Sequence, residues 1–135
     1  MLQLKKFSRN IVIAGTLIIW LVKFIVRPFE LCADWMQPFI GVAPNLIGSF
    51  LIPFGAYWFF RKYFSLQTNQ ELRTVCWFGL LLVIINEYLQ LIPAFGRTFD
   101  VLDIISSFAG VYIGYRMFDR LMCIHLFRSS EKSLL

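Results

Sequence analysis

Thr74-Val75-Cys76-Trp77-Phe78-Gly79-Leu80-Leu81-Leu82-Val83-Ile84-Ile85-Asn86-Glu87-Tyr88-Leu89-Gln90-Leu91-Ile92 is the stretch that decides the fold. Its one acid, Glu87, stands near one end, and Pro93 follows it. The run exceeds strand length and does not alternate strictly, so it reads as a helix. About 20 apolar residues suffice to cross the hydrocarbon core, and lipid requires every segment to satisfy its own backbone groups. The chain as a whole agrees: of 135 residues 59% are apolar and only 16% charged, with a mean hydropathy of +0.69. Soluble domains hold about 45–50% apolar residues. Four spans of about 20 residues use most of the length, which leaves no room for a sizeable soluble catalytic domain.

Three further runs have the same character. The first reaches from Ile11 to Val26, interrupted by Lys23 and closed by Arg27-Pro28, where proline removes a helical donor and disfavours helix in the residue before it. An uncharged run from Trp35 to Phe60 is longer than one span needs; Pro44-Asn45 is a natural helix start within it, and Arg61-Lys62 stops it. The last begins near Asp100 and continues to about Cys123. The expected architecture is an all-α integral membrane protein: a four-helix transmembrane bundle in a single domain, with spans near 11–27, 45–60, 74–92 and 101–123.

Charge sets the expected orientation. Lys5, Lys6, Arg9, Arg61, Lys62, Arg73, Arg116, Arg120, Arg128 and Lys132 fall on one side of these spans, against Lys23, Arg27 and Arg97 on the other. The positive-inside rule then places both termini in the cytoplasm. Lys5, Lys6 and Arg9 ahead of an apolar run without a small-x-small cleavage site read as an uncleaved signal anchor. The net charge of +5 is a topology signal, because no basic run interleaved with exposed aromatics points to nucleic acid. Cys32, Cys76 and Cys123 are widely spaced and odd in number, and His125 is the sole histidine. Neither a disulfide framework nor a zinc site is expected. Trp35, Phe39, Trp58 and Phe59 read as interfacial anchors. Lys23, about one turn below the outer surface, either snorkels to the interface or pairs with an acid such as Glu87.

Polar residues gather between the third and fourth spans. Glu87 and Gln90 share one face at i,i+3 spacing, and Asp100, Asp103 and Ser107 share a face of the fourth span. Gly110 and Gly114 continue that stripe, and a Gly-x-x-x-Gly pair lets a neighbouring helix approach closely. The short connection from Pro93 to Phe99 makes the two spans antiparallel neighbours, so Glu87, Arg97, Asp100 and Asp103 converge on the outer side. One guanidinium meets three carboxylates there. Two readings stay open: an ion-pair network that pins the helix ends, or an outward polar recess. In the recess Arg97 meets a phosphate or carboxylate, and Glu87, Asp100 and Asp103 hold Mg²⁺ or Ca²⁺ or move a proton. In the second span, Pro53 and Gly55 mark a kink or a close helix approach, and two readings stay open there: ordinary helix packing, or Asn45 completing the recess from a third helix. A serine or cysteine nucleophile paired with a histidine base is missing, since His125 falls on the opposite side, so an enzymatic reading is the weaker one.

At these residues the chain resembles the VanZ-like family of small bacterial membrane proteins. Asn45 followed by Pro53-Phe54-Gly55 is similar to the family's Asn…Pro-x-Gly pattern in the second span, and Glu87 and Gln90 match its Glu-x-x-Gln. Gly96, Arg97, Phe99, Asp100 and Asp103 match its Gly-Arg-x-Phe-Asp-x-x-Asp turn; Ser107 stands where the family usually carries asparagine, ahead of Gly110 and Gly114. The resemblance covers roughly residues 45–114. It implies a multi-pass protein of the bacterial cytoplasmic membrane, involved with the envelope and, in the founding case, with reduced susceptibility to teicoplanin.

Three functions follow as expectations. The first is a membrane protein whose recess engages a lipid-linked anion or an antibiotic-related target. The second is an ion- or proton-coupled transporter or channel component. The third is a structural or effector subunit that meets a membrane or cytoplasmic protein partner through the loop 61–73 and the tail 128–135. The lipid bilayer is a partner in all three.

Overall fold

In the computed structural model the described residues are 2–26, 28, 33–60, 66, 68–89 and 101–131. Among them every regular element is helical: α1 (Leu2–Leu21), prolonged by a π-helical turn (Val22–Val26), a 3₁₀ turn (Asp34–Met36), α2 (Gln37–Phe50), α3 (Ile52–Phe60), α4 (Asn69–Leu89) and α5 (Val101–Glu131). Four stretches are long and apolar enough to cross a membrane: Gln3–Val26, Gln37–Phe60, Asn69–Leu89 and Val101–Ile124. At 1.5 Å per residue each covers about 30 Å or more, the thickness of a hydrocarbon core.

Several boundaries differ from the sequence expectation: α4 begins at Asn69 instead of Thr74 and α5 continues to Glu131 instead of about Cys123, and the first two helices start earlier. The first helix begins at Leu2 instead of near Ile11, because Lys5, Lys6 and Arg9 are good helix formers that extend the apolar segment without a break. The second span begins at Gln37 instead of Asn45, with Pro38 in its first turn and Pro44 inside it. Pro38 takes the starting role, where its missing N–H is unneeded. Pro44 forfeits one donor in a helix otherwise intact, a smaller cost than leaving a lipid-embedded backbone unpaired. Asn45 is therefore an interior residue of the helix and not its outer cap.

The second span is interrupted at Leu51, between α2 and α3. Pro53, buried two residues later, has no N–H to give the Ser49 carbonyl. The ladder is intact on either side: Leu51 donates to the Ile47 carbonyl at 3.0 Å and Gly55 to the Leu51 carbonyl at 2.8 Å.

The tightest packing joins α2 and α5, which run parallel. A methyl group on Gly110 would overlap the Leu46 carbonyl oxygen, and one on Gly114 the Phe50 carbonyl oxygen. Both helices advance by four residues between these contacts, so one register holds along the seam. Gly55 plays no such part: no atom lies within 4 Å of a side chain placed there, since it faces away from the seam.

Apolar burial concentrates at the end of the bundle that carries the termini. Phe54, Leu72 and Phe118 are fully buried there, with Tyr57, Met122 and Leu4 around them. The Phe118 ring meets Phe54 edge-on at 5.4 Å and lies 5.4 Å from Tyr57. Leu66 is drawn into this core at φ 46°, a left-handed conformation that costs a leucine about 1–2 kcal/mol. Outward, Leu17, Trp20, Phe24, Phe78, Leu82 and Ile113 are exposed, as the lipid-facing surface of a span requires. Trp35, Phe39 and Phe59 are exposed near span ends, while Trp58 is half-buried.

Candidate functional site

Glu87 stands two residues from the end of α4, and Asp103 two residues into α5. The two helices are antiparallel: Leu80 and Phe108 line one cleft between them, and Tyr115 donates to Asn69 Oδ1 at 3.5 Å near the other end. From that cleft Glu87 is about 10 Å further along α4 and Asp103 about 8 Å back along α5, both toward the end remote from the termini. The two acids thus share one end of the bundle. Glu87 is only 1% exposed, and Asp103 is half-buried. A carboxyl at such a position is expensive in a membrane and is retained where it faces the bundle interior.

The hydroxyls beside them are turned inward. Ser106 and Ser107 each donate to the Asp103 carbonyl oxygen at 2.8 Å, and both are buried. The Ser107 proton is therefore spent on its own helix, and the serine presents lone pairs to its surroundings. Ser106 was not marked by the sequence stripe because it lies one position aside from it. Ser49 on α2 is a second addition: it is 1% exposed, faces Gly110 across the seam, and its Oγ has no hydrogen-bond partner among the described residues. Its spacing of four from Asn45 places both on one helix face, a signal legible in the sequence.

Asn45 is set deeper than expected. The Leu46–Gly110 contact puts it about 9 Å below Asp103 along the seam, so it does not meet that acid. Lys23 is exposed at the end of the first span. Gln90, Arg97 and Asp100 lie outside the described residues. Among the described residues no three metal-ligating side chains converge; of the expected cation ligands, Glu87 and Asp103 are described and Asp100 is not.

The sequence model of VanZ/LLP1 matches residues 12–127. The chain belongs to the VanZ/LLP1 family. The match runs from the first span to beyond the fourth and includes Asn45, Glu87, Asp103 and the Gly110–Gly114 seam. No curated protein and no solved structure matches it.

This VanZ/LLP1 chain is thus a multi-pass membrane protein with two unlike ends. Toward the termini the described interior is packed with the Phe54, Tyr57 and Phe118 rings, with Ser8 and Asp119 Oδ1 as buried polar exceptions. At the other end the buried groups are Glu87, Ser106 and Ser107.

Proposed function

We propose that this VanZ/LLP1 protein resides in the bacterial cytoplasmic membrane and binds an anionic envelope ligand, a lipid-linked phosphate or an antibiotic-related target, in a recess at the polar end of its bundle. The burial of Glu87, Ser106 and Ser107 around the start of α5 carries this reading, since a membrane interior tolerates such a cluster only where it has polar work. Arg97 supplies the cation for the anion and Asp103 shapes its surroundings. Gln90, Asp100 and Asn45 extend the recess, and a divalent cation on the acids is its cofactor where one is used. The positive-inside count turns this end outward, toward the envelope.

The packed rings of Phe54, Tyr57 and Phe118 favour a recess closed on one side over a path through the membrane. The test compares wild type with Arg97→Ala and Asp103→Ala at equal membrane abundance. Retention of a polyprenyl phosphate in reconstituted vesicles, and teicoplanin susceptibility of cells, are the readouts. Wild type binds and protects more strongly than both variants; equal behaviour overturns the reading.

A further inference from the structure

Apolar clefts flank α4 on two sides. The wider, of about 750 Å³, opens between α3 and α4, and Glu71 at its mouth already makes an interaction of its own. The narrower, of about 210 Å³, lies between α4 and α5. α4 gives it Arg73, Trp77 and Leu80, and α5 gives it Phe108, Tyr112 and Tyr115. Both sets advance by four and then three residues, so each is one stripe of a helix face. The antiparallel stripes set Arg73 beside Tyr115 and Leu80 beside Phe108.

Leu80 and Val111 are buried and form the floor of this cleft, whereas Trp77 and Tyr112, 62% and 65% exposed, form its rims. A cleft between two exposed rings opens sideways to the acyl chains around the protein. From Arg73 to Leu80 it runs about 10 Å along α4, within the roughly 15 Å depth of one leaflet of a hydrocarbon core. Arg73, four residues past the start of α4, stands at the interface on the side of the termini.

Arg73 is exposed, and among the described residues no hydrogen bond or ion pair engages its guanidinium. The described acids on this side of the bundle are turned away: Glu71 lines the other cleft, and Asp119 Oδ1, one turn past Tyr115, is buried. The segment that leads from Phe60 into α4 adds Arg61 and Lys62 and no acid. Tyr115 donates to Asn69 Oδ1 at 3.5 Å, which leaves the Asn69 amide as a second donor one turn before Arg73. A guanidinium and an amide at the head of an apolar cleft suit a phosphate above a hydrocarbon chain.

We propose that the α4–α5 cleft is a phospholipid site in the leaflet on the side of the termini, seating one acyl chain between the Trp77 and Tyr112 rings and an anionic headgroup phosphate at Arg73. The apolar wall supplies dispersion contacts to any acyl chain alike. The net charge of the headgroup decides among lipids, because a zwitterionic one brings its own ammonium close to the guanidinium and is held less well. The site is separate from the polar end of the bundle and holds for either orientation of the protein.

The test uses the full chain in vesicles of equimolar phosphatidylglycerol and phosphatidylethanolamine with identical acyl chains. Mass spectrometry of the lipid that remains bound reads the headgroup. Trp77 fluorescence, in a Trp20→Phe, Trp35→Phe, Trp58→Phe background, reads the place: one lipid at a time carries bromine on its chains and quenches the ring it touches. Phosphatidylglycerol is retained at roughly two- to fivefold over the bulk ratio, the range for a solvent-screened charge pair, and its brominated form quenches Trp77 the more strongly. Arg73→Gln brings both readouts to the bulk ratio, while Arg120→Gln, which removes an exposed charge outside the cleft, leaves them. Excess glycerol 1-phosphate leaves the quenching unchanged. Where the background loses its helicity, wild type and Trp77→Phe are compared instead, and the preferential quenching disappears with the ring. Retention at the bulk ratio, enrichment that survives Arg73→Gln, equal quenching by the two lipids, displacement by glycerol 1-phosphate, or a Trp77 shielded from both lipids by a second copy of the chain overturns the proposal.

Discussion

Gly110 of α5 rests against the carbonyl oxygen of Leu46 in α2, with no room between them for a methyl group. Four residues on, Gly114 repeats the contact with Phe50, so the seam is backbone against backbone. In lipid, where apolar burial gives helices no preference for one another over acyl chains, such close approach is a principal source of association.

Gly110→Ala and Gly55→Ala are the same chemical change with opposite expected signs. The first overpacks the seam and costs about 1–3 kcal/mol. The second fills open space and relieves a helix glycine, a gain of about 0.5–1 kcal/mol. Equilibrium unfolding in mixed micelles separates them, and similar midpoints for the two variants would contradict the seam.

Ser106→Ala and Ser107→Ala each remove one hydroxyl bond to the Asp103 carbonyl, a loss of about 0.5–1.5 kcal/mol. The double variant exceeds the sum, because the two hydroxyls share one carbonyl with the helix's own Ser107 N–H, so removing either hydroxyl strengthens the bond of the other. A double-mutant cycle measured in the same micelles reads this coupling; strict additivity would mean that the two bonds are independent.

Phe118→Ala removes the ring between Phe54 and Tyr57 and is expected to be the most destabilising of the set, by about 3–5 kcal/mol. With the ring in place, vesicles carrying wild-type protein hold a proton gradient as long as protein-free vesicles do. Rapid collapse of the gradient in wild type would instead support ion or proton conduction.

Cys123 is exposed near the end of the bundle that carries the termini, whereas Cys76 is buried in the core. In a Cys32→Ala, Cys76→Ala background, a membrane-impermeant maleimide is expected to label inverted vesicles and to leave intact cells unlabelled. Labelling of intact cells would reverse the orientation, and with it the outward placement of the polar end.

The shared placement of Glu87 and Asp103 was legible from residue type and spacing. Glu87 and Asp103 share an end because a short connection joins two apolar runs, and a short connection leaves their helices no other arrangement. The depth of Asn45 was not legible: Pro44 looks like a helix start, but in lipid the backbone continues through it. Ser49 and Ser106 escaped notice because a serine becomes informative only when its burial is known.

Residue order and composition alone determined that this protein lies in a bilayer as four helices, which family it belongs to, and where its charges sit along the chain. These follow from run length, from the cost of unpaired backbone in hydrocarbon and from a motif, and none depends on a neighbouring helix. Tertiary structure decided which glycines are contacts, which serines are buried, and where a groove opens between α3 and α4. Each of these is a property of the space between two helices, and one helix has no such space.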